Sequence, residues 1–248
     1  MNNVLEFENV TLKYKNNSDN VLENINFKIN SGDMVAIVGP SGVGKTTIFN
    51  AILKQIKPSN GKINLFGKDI YKNTAKQWQN CLVNIGLLTQ KPNLVYSDNV
   101  FLNVKRGVID YKNKIYQFLS LLTKEQKMKI FEILDDLKIL NKSFVRVENL
   151  SGGQQQRVEI AKLLIKNTKL ILADEPTANL DIVMSSEVLD SLKNLAKSKN
   201  IAVMVNIHDL SQLKKYFDSV IVINNKQILL NDLCANIEIE QIIQLIQK

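Results

Sequence analysis

From Leu5 to Tyr14 apolar and polar residues alternate loosely, the period of a strand that buries one face. Asn24 to Ile29 predicts a second strand. After the turn Ser31-Gly32-Asp33, the run Met34 to Val38 is unbroken in its apolar character, as in a strand covered on both sides. A glycine-rich loop follows, then a helix expected from about Thr46 to Gln55. Pro58-Ser59-Asn60-Gly61 marks a turn, and Ile63 to Phe66 and Val83 to Leu88 read as further strands. From Lys91 to Asn149 the period changes to that of helices: Ile115, Leu119 and Leu122, then Ile130, Leu134 and Leu137. This stretch is read as a mostly helical insertion, with one long helical segment over Lys112 to Leu137. Beyond it lie a helix from Gly153 to about Lys166, an apolar run Leu170 to Ala173, and a helix over Glu187 to Lys197. Ile201 to Ile207, a short helix after Asp209, Val220 to Ile223 and an amphipathic helix over Ile237 to Ile246 complete the chain. Strands alternating with helices predict a largely parallel sheet with helices on both faces.

Composition narrows the class of molecule. The 248 residues are 45% hydrophobic and 23% charged, ordinary for a globular protein of one large α/β domain. No apolar run approaches the ~20 residues that span a bilayer. The start, Met1 to Glu6, lacks the basic and apolar regions of a secretory signal. Cys81 and Cys234 are far apart and have no metal-ligand spacing, which predicts reduced, structural thiols. The net charge of +8 is compatible with an anionic membrane surface, an acidic partner or nucleic acid, and equally with compositional bias. Only Arg106, Arg146 and Arg157 are arginines among 32 basic residues, and asparagine and isoleucine abound, the pattern of an AT-rich genome. No basic run with interleaved aromatics marks a nucleic-acid patch, so no nucleic-acid partner is expected.

The chemistry is concentrated in three segments. Gly39-Pro40-Ser41-Gly42-Val43-Gly44-Lys45-Thr46 fits G-x-x-x-x-G-K-[ST] between an apolar strand and a helix. Such a loop turns backbone N–H groups toward phosphate oxygens, and the helix N-terminus adds positive potential. Lys45 is placed to reach the β- and γ-phosphates of ATP, Thr46 to ligate Mg²⁺, and Thr47 adjoins them. Leu170 to Ala173 ends in Asp174 and Glu175, at the strand end where ligands bind in open α/β sheets. Asp174 is expected to hold Mg²⁺ through water, and Glu175 to orient and activate the attacking water. Leu150-Ser151-Gly152-Gly153-Gln154 sets small residues at a helix N-terminus, a second anion nest.

Leu150 to Gln154, continued by Gln155-Gln156-Arg157, resembles the signature of ABC ATPases. The resemblance runs from Val4 to about Leu233. It implies that Ser151, Gly152, Gly153 and Gln154 meet the γ-phosphate of ATP held by a second copy, so that two chains enclose two nucleotides head to tail. It further implies that Gln90 touches Mg²⁺ or the attacking water, that His208 contacts the γ-phosphate, and that Tyr14 stacks on adenine. Asp181, in Ala178-Asn179-Leu180-Asp181, then crosses the dimer interface. The catalytic set implied is Glu175, His208 and Gln90, with Thr46, Gln90 and Asp174 at the metal.

The fold implied is a P-loop NTPase core with a mainly parallel sheet, an N-terminal antiparallel β-subdomain and a helical insertion, the ABC ATPase architecture. Residues 1–90 and 156–235 form the core with its β-subdomain, 91–155 the helical subdomain and 236–248 a terminal helix. Val205-Asn206-Ile207-His208-Asp209, Asn93-Leu94-Val95, Asn99-Val100, Asn103-Val104 and the helical segment after Lys112 are similar to the phosphonate-importer ATPases. Such ATPases also serve high-affinity uptake systems of low-GC, wall-less bacteria. Pro176 to Asp181 is closer to the lipoprotein-releasing and macrolide-export ATPases. A non-transport ABC ATPase acting on DNA or ribosomes is a third class, disfavoured by a single motif set without zinc cysteines or a long heptad run. The expected function is therefore ATP hydrolysis that drives a separate transmembrane permease, with a substrate-binding protein alongside, at the cytoplasmic face of the membrane.

Overall fold

In a computed structural model of the chain, residues 3–14, 19–178 and 180–247 are described. Met1, Asn2, Asn179 and Lys248 of the segments read above lie outside them. Strands β1 (Asn3–Leu12) and β2 (Leu22–Asn30) pair antiparallel, and β3 (Met34–Val38) leads into helix α1 (Lys45–Ile52). Next come β4 (Asn60–Leu65), β5 (Lys68–Asp69), α2 (Ala75–Val83) and β6 (Ile85–Leu88). Helices α3 (Val100–Lys105), α4 (Lys114–Phe118) and α5 (Lys124–Asp136) precede α6 (Gly152–Leu164). The chain closes with β7 (Leu170–Asp174), α7 (Ile182–Lys199), β8 (Ala202–Asn206), α8 (Leu213–Tyr216), β9 (Ser219–Asn224), β10 (Gln227–Leu233) and α9 (Ile239–Gln247).

Two sheets result. An antiparallel sheet has the order β2-β1-β4-β5, and a six-stranded sheet the order β10-β9-β3-β8-β7-β6. In the second sheet only β10 runs antiparallel to its neighbour; β9, β3, β8, β7 and β6 are parallel. Alternate residues of its central strands feed two different cores. Val35, Ile37, Leu172 and Met204 pack with α1 and the antiparallel sheet. Ala36, Val38, Ala173 and Val205 pack with α5, α6 and α7. A two-sided sheet needs apolar residues at every position of these strands, which is why they read as continuous runs.

Several expected elements differ in extent, each for a local reason. The helix after the glycine-rich loop ends at Ile52, because Lys54 turns left-handed with φ 59°. α7 begins at Ile182, five residues before the expected Glu187. The Asp181 carboxylate accepts from the Met184 N–H at 2.8 Å and starts the helix there. Ile182 is 85% exposed, so the first turn of α7 hides its start from a periodicity reading. The single helical segment expected over Lys112 to Leu137 is two helices. Ser120 is left-handed and Thr123 caps α5 with its Gln126 partner, which breaks the chain between them. Ile115 and Leu119, taken as a core stripe, are exposed, whereas Ile130, Leu134 and Leu137 are buried as expected. α2 was not foreseen. It buries no residue fully and is started by a Thr74–Gln77 capping box, with only Trp78 and Cys81 packed partly against the core, so its apolar stripe is short. β10 is an edge strand of mostly exposed residues and was missed for the same reason.

The signature-bearing helix α6 is tied to the loop after β6 by three polar side chains. Gln156 Nε2 donates to the Thr89 carbonyl at 3.2 Å, Glu159 accepts from the Asn93 N–H at 2.9 Å, and Lys162 Nζ donates to the Asn93 carbonyl at 2.7 Å. Glu159 is 3% exposed, and Oε2 has no partner among the described residues. Burial pushes its carboxyl from 4.5 up to about 7, partly offset by the Asn93 N–H and by Lys162. A carboxyl raised in the folded state binds its proton more readily there than in the unfolded chain. Its charge therefore destabilises the fold increasingly as pH rises from about 4.5 through about 7. Glu159→Gln keeps the acceptor for Asn93 and removes the charge. It should raise thermal stability at pH 8, by an amount equivalent to roughly 3 kcal/mol at most. The gain should vanish near pH 5. Thermal midpoints of both proteins across that range check it; equal differences at both ends would contradict a charged, buried Glu159.

Candidate functional site

The parallel register sets the site. Ile37 of β3 lies beside Asn206 of β8, and Asn206 lies beside Asp174 of β7. Three strands thus end on one rung, and their following loops converge. The loop after β3 runs Gly39 to Gly44. A side chain at Gly39 would place its Cβ 2.2 Å from the Ile223 carbonyl oxygen of β9, so the loop can pass there only as glycine. Lys45 and Thr46 open α1, and the helix N-terminus points into the cleft beyond the strands.

That cleft, of about 450 Å³, is lined by Tyr14, Val21, Ser41, Gly42, Gly44, Lys45, Thr46, Thr47, Glu175 and His208. Lys45 is buried, and its Nζ donates to the carbonyls of Gly39 at 2.8 Å and Pro40 at 3.0 Å. Burial lowers its pKa, while Glu175 and Asp174 oppose the shift, so its ammonium sits in a field of its own acids. The Thr46 hydroxyl donates to Asp174 Oδ2 at 3.1 Å. Asn206 Nδ2 donates to the other oxygen, Oδ1, at 2.7 Å. Glu175 Oε1 and His208 Nε2 are 2.6 Å apart, joined across the ends of β7 and β8. Tyr14 OH and Thr47 Oγ1 share a hydrogen bond of 3.3 Å, which fixes the ring at the mouth of the cleft.

The sequence-predicted residues divide into three places. The loop residues, Asp174, Glu175, His208 and Tyr14 gather at the cleft. Ser151 to Gln154 lie away from it, at the start of α6. There the Ser151 hydroxyl accepts from the Gln154 N–H at 3.3 Å, and the Gln154 amide oxygen accepts from the Ser151 N–H at 3.1 Å. A Cβ on Gly152 would stand 2.7 Å from Leu180 Cδ2, so the signature and the segment leading to Asp181 pack face to face. Asp181 is exposed at the N-terminus of α7, while Asn179 falls outside the described residues. Gln90 is exposed in the loop after β6 and does not line the cleft; Gln156 bonds its carbonyl at 3.5 Å. Asn206 is the residue that the sequence reading placed in a motif without giving it a role. An amide at the end of the apolar run Ala202 to Val205 was the available signal.

The arrangement can bind a polyphosphate on the Gly39–Thr47 loop, with hard oxygen donors on Thr46 and Asp174 beside it. It sets a carboxylate and an imidazole at the far end. Ser151 to Gln154 stand apart from this cleft on the same chain.

Comparison with known proteins agrees with this geometry. The ABC transporter family model matches residues 22–178, which hold the phosphate loop, the signature and the paired acids. A probable ABC transporter ATP-binding protein p29 of Mesomycoplasma hyorhinis is 37% identical over 91% of this chain and 89% of its own. A phosphonates import ATP-binding protein PhnC of Mycoplasma mycoides subsp. mycoides is 36% identical over 95% of this chain and 96% of its own. Among solved structures, cbiO1 of Clostridium perfringens, part of the ABC transporter complex cbiONQ, superposes with a TM-score of 0.87. It is 28% identical and the match covers 98% of this chain and 93% of that one. The ATP-binding cassette MJ0796, solved as a dimer in a post-hydrolysis state with ADP and Pi, matches at TM-score 0.73 and 28% identity over 93% and 98% of the two chains. With the family model spanning more than half of its length and relatives aligned almost end to end, the chain belongs to the ABC transporter family as an ATP-binding subunit, and it is an ATPase.

Proposed function

We propose that this subunit powers import of a small anionic solute such as a phosphonate, acting as a head-to-tail homodimer on a separate permease at the cytoplasmic face of the membrane. The observation that carries the catalytic part is the convergence of Lys45, Thr46, Asp174, Glu175 and His208 on one cleft while Ser151 to Gln154 stand elsewhere on the same chain. Such a chain has all the cis half of a nucleotide site and offers the trans half to a neighbour. The likeness to the PhnC of Mycoplasma mycoides, an importer ATPase by its name, supports the direction and the solute class. The segment Pro176 to Asp181 favours the exporter alternative, and it is short.

ATP would lie with its triphosphate on the Gly39–Thr47 loop, the Lys45 ammonium turning from the loop carbonyls to the β- and γ-phosphates. Tyr14 at the mouth would stack on the base. The pair Thr46 Oγ1 and Asp174, 3.1 Å apart, fits Mg²⁺, a hard cation that takes one or two protein oxygens together with substrate phosphates. Thr46 would hold the ion directly and Asp174 through water; bound there, it would neutralise phosphate charge. Glu175, freed from His208, would orient the attacking water and accept its proton, while His208 would donate to the γ-phosphate. Gln90 would join the site when its loop moves, and that loop is bonded to α6, which carries the signature. The neighbour's Ser151, Gly152, Gly153 and Gln154 would close on the γ-phosphate, with Asp181 at the seam.

Residues 91–155 would form the helical unit that receives the permease beside Gln90, with 1–90 and 156–235 as the catalytic core and 236–248 as a closing helix. A substrate-binding protein would deliver the solute to the permease. No helix among the described residues is long and apolar enough to cross a membrane, so in this reading the permease supplies the passage.

Glu175→Gln keeps the shape and removes the negative charge. With MgATP it should elute as a dimer and with ADP as a monomer, and turnover should fall roughly 10²–10⁴-fold. A variant that turns over as fast as the wild type would assign the carboxylate elsewhere. Hydrolysis by the isolated chain should rise faster than linearly with its concentration, and Ser151→Arg should abolish it. Turnover constant on dilution, in a species that light scattering finds monomeric, would disprove the shared site. For the solute, depleting the chain from its cells should stop uptake of a radiolabelled alkylphosphonate. Normal uptake together with lost macrolide efflux or lipoprotein release would favour the exporter instead.

A further inference from the structure

β8 consists of Ala202, Val203, Met204 and Val205, all buried in the centre of the sheet, and then Asn206. Asn206 is 0% exposed. A buried primary amide is costly unless its polar atoms are bonded, and an aliphatic side chain would fill the same slot without that cost. The bonds that Asn206 makes run to two consecutive acids. Its Nδ2 donates to Asp174 Oδ1 at 2.7 Å, and its backbone carbonyl accepts from the Glu175 N–H at 3.3 Å. Asn206 Oδ1 is buried without a partner among the described residues. The reverse orientation of the amide would set that oxygen against the Asp174 carboxylate, two acceptors facing each other, so the donor must point at Asp174. Glu175 carries φ 51°, a left-handed backbone that a side-chain-bearing residue keeps only when its surroundings hold it.

We propose that Asn206 is a positioning residue for the Asp174–Glu175 pair. The carboxylate torsion of an aspartate is soft, so the plane of an unheld Asp174 carboxylate would be poorly fixed. The Asn206 amide donates to Oδ1, and with the Thr46 hydroxyl 3.1 Å from Oδ2 and 3.4 Å from Oδ1 it fixes that plane. The Asn206 carbonyl takes the Glu175 N–H, and in that backbone conformation the Glu175 side chain lines the cleft and reaches His208. One residue of the neighbouring strand therefore sets the direction of the acid beside the cation and of the acid beside the water. The inference rests on the reading of Asp174 as the acid that holds Mg²⁺.

The test uses the full chain with Asn206→Leu, which removes the amide, and Asn206→Asp, which keeps its shape and exchanges the donor for an acceptor. Asp174→Asn is run in parallel. Mn²⁺ bound with ATP is counted by electron paramagnetic resonance. Binding of a fluorescent ATP analogue is measured in EDTA, Mg²⁺ dependence is read from hydrolysis, and thermal midpoints report folding. Groups outside the ligand set of a metal change its affinity by about 10–100-fold. Each Asn206 variant should weaken Mn²⁺ by at least about tenfold and lower kcat, with metal-free nucleotide affinity unchanged. Wild-type Mn²⁺ affinity in a folded Asn206 variant, with Asp174→Asn shifted, overturns this inference alone. No shift in Asp174→Asn overturns the reading of Asp174. Loss of metal-free nucleotide binding in step with a lowered thermal midpoint makes Asn206 merely structural and also overturns the proposal. Should Asn206→Leu fail to fold, Asn206→Asp decides by the same measures.

Discussion

Parallel pairing in register of β3, β8 and β7 is the constraint on which the site depends. Parallel strands end at the same edge of a sheet, and here Ile37, Asn206 and Asp174 share a rung. The phosphate loop, the paired acids and the His208 segment each leave from that edge, so three distant stretches of chain meet there. What holds the register is apolar. Each strand buries alternate residues against α1 and the antiparallel sheet on one side and against α5, α6 and α7 on the other. A slip of one residue would exchange the two sets of side chains between cores of different shape.

Polar groups within this apolar frame are few, and each joins elements that must keep a fixed relation. Arg157 of α6 is buried. It donates to the Leu137 carbonyl at the end of α5 at 3.3 Å and to Glu187 of α7 at 3.0 Å. Gln156, Glu159 and Lys162, on the same helix, bond the loop that carries Gln90. Replacing these groups by apolar ones of equal volume could make the fold more stable, since a buried charge is costly to desolvate. Their geometry makes α6 a rod with the signature at its N-terminus and the Gln90 loop along its side.

The two ends of the reaction are built by different means. The phosphate loop is held by backbone and by close packing: Gly39 passes against the Ile223 carbonyl, and Lys45 is tied to loop carbonyls. The hydrolytic end is held by side-chain hydrogen bonds among Thr46, Asp174, Asn206, Glu175 and His208. Backbone positions resist change, whereas a chain of side-chain bonds can open and close. On the proposed reading, that difference suits a site that keeps its grip on phosphate through a cycle and reorganises where water attacks.

The sequence by itself determined the chemistry that is local in the chain. Gly39 to Thr46, Leu150 to Gln154 and Asp174-Glu175 are contiguous, and the strand before each acid or glycine loop was legible because a doubly covered strand must be apolar throughout. Helices with a buried stripe, such as that of Ile130, Leu134 and Leu137, were legible for the same reason. Elements that bury little were not: α2, β10 and the first turn of α7 rest largely on capping or edge pairing. Tertiary contacts alone fix that Glu175 bonds His208, that Asn206 donates to Asp174, that Glu159 is held nearly dry against Asn93, and that Gln90 stands outside the cleft. The bonded pairs among them lie 32 to 66 positions apart and meet through sheet order and strand register. Hydrophobic period records which face of an element is buried but not which neighbour buries it, and it is the neighbour that supplies the hydrogen bond.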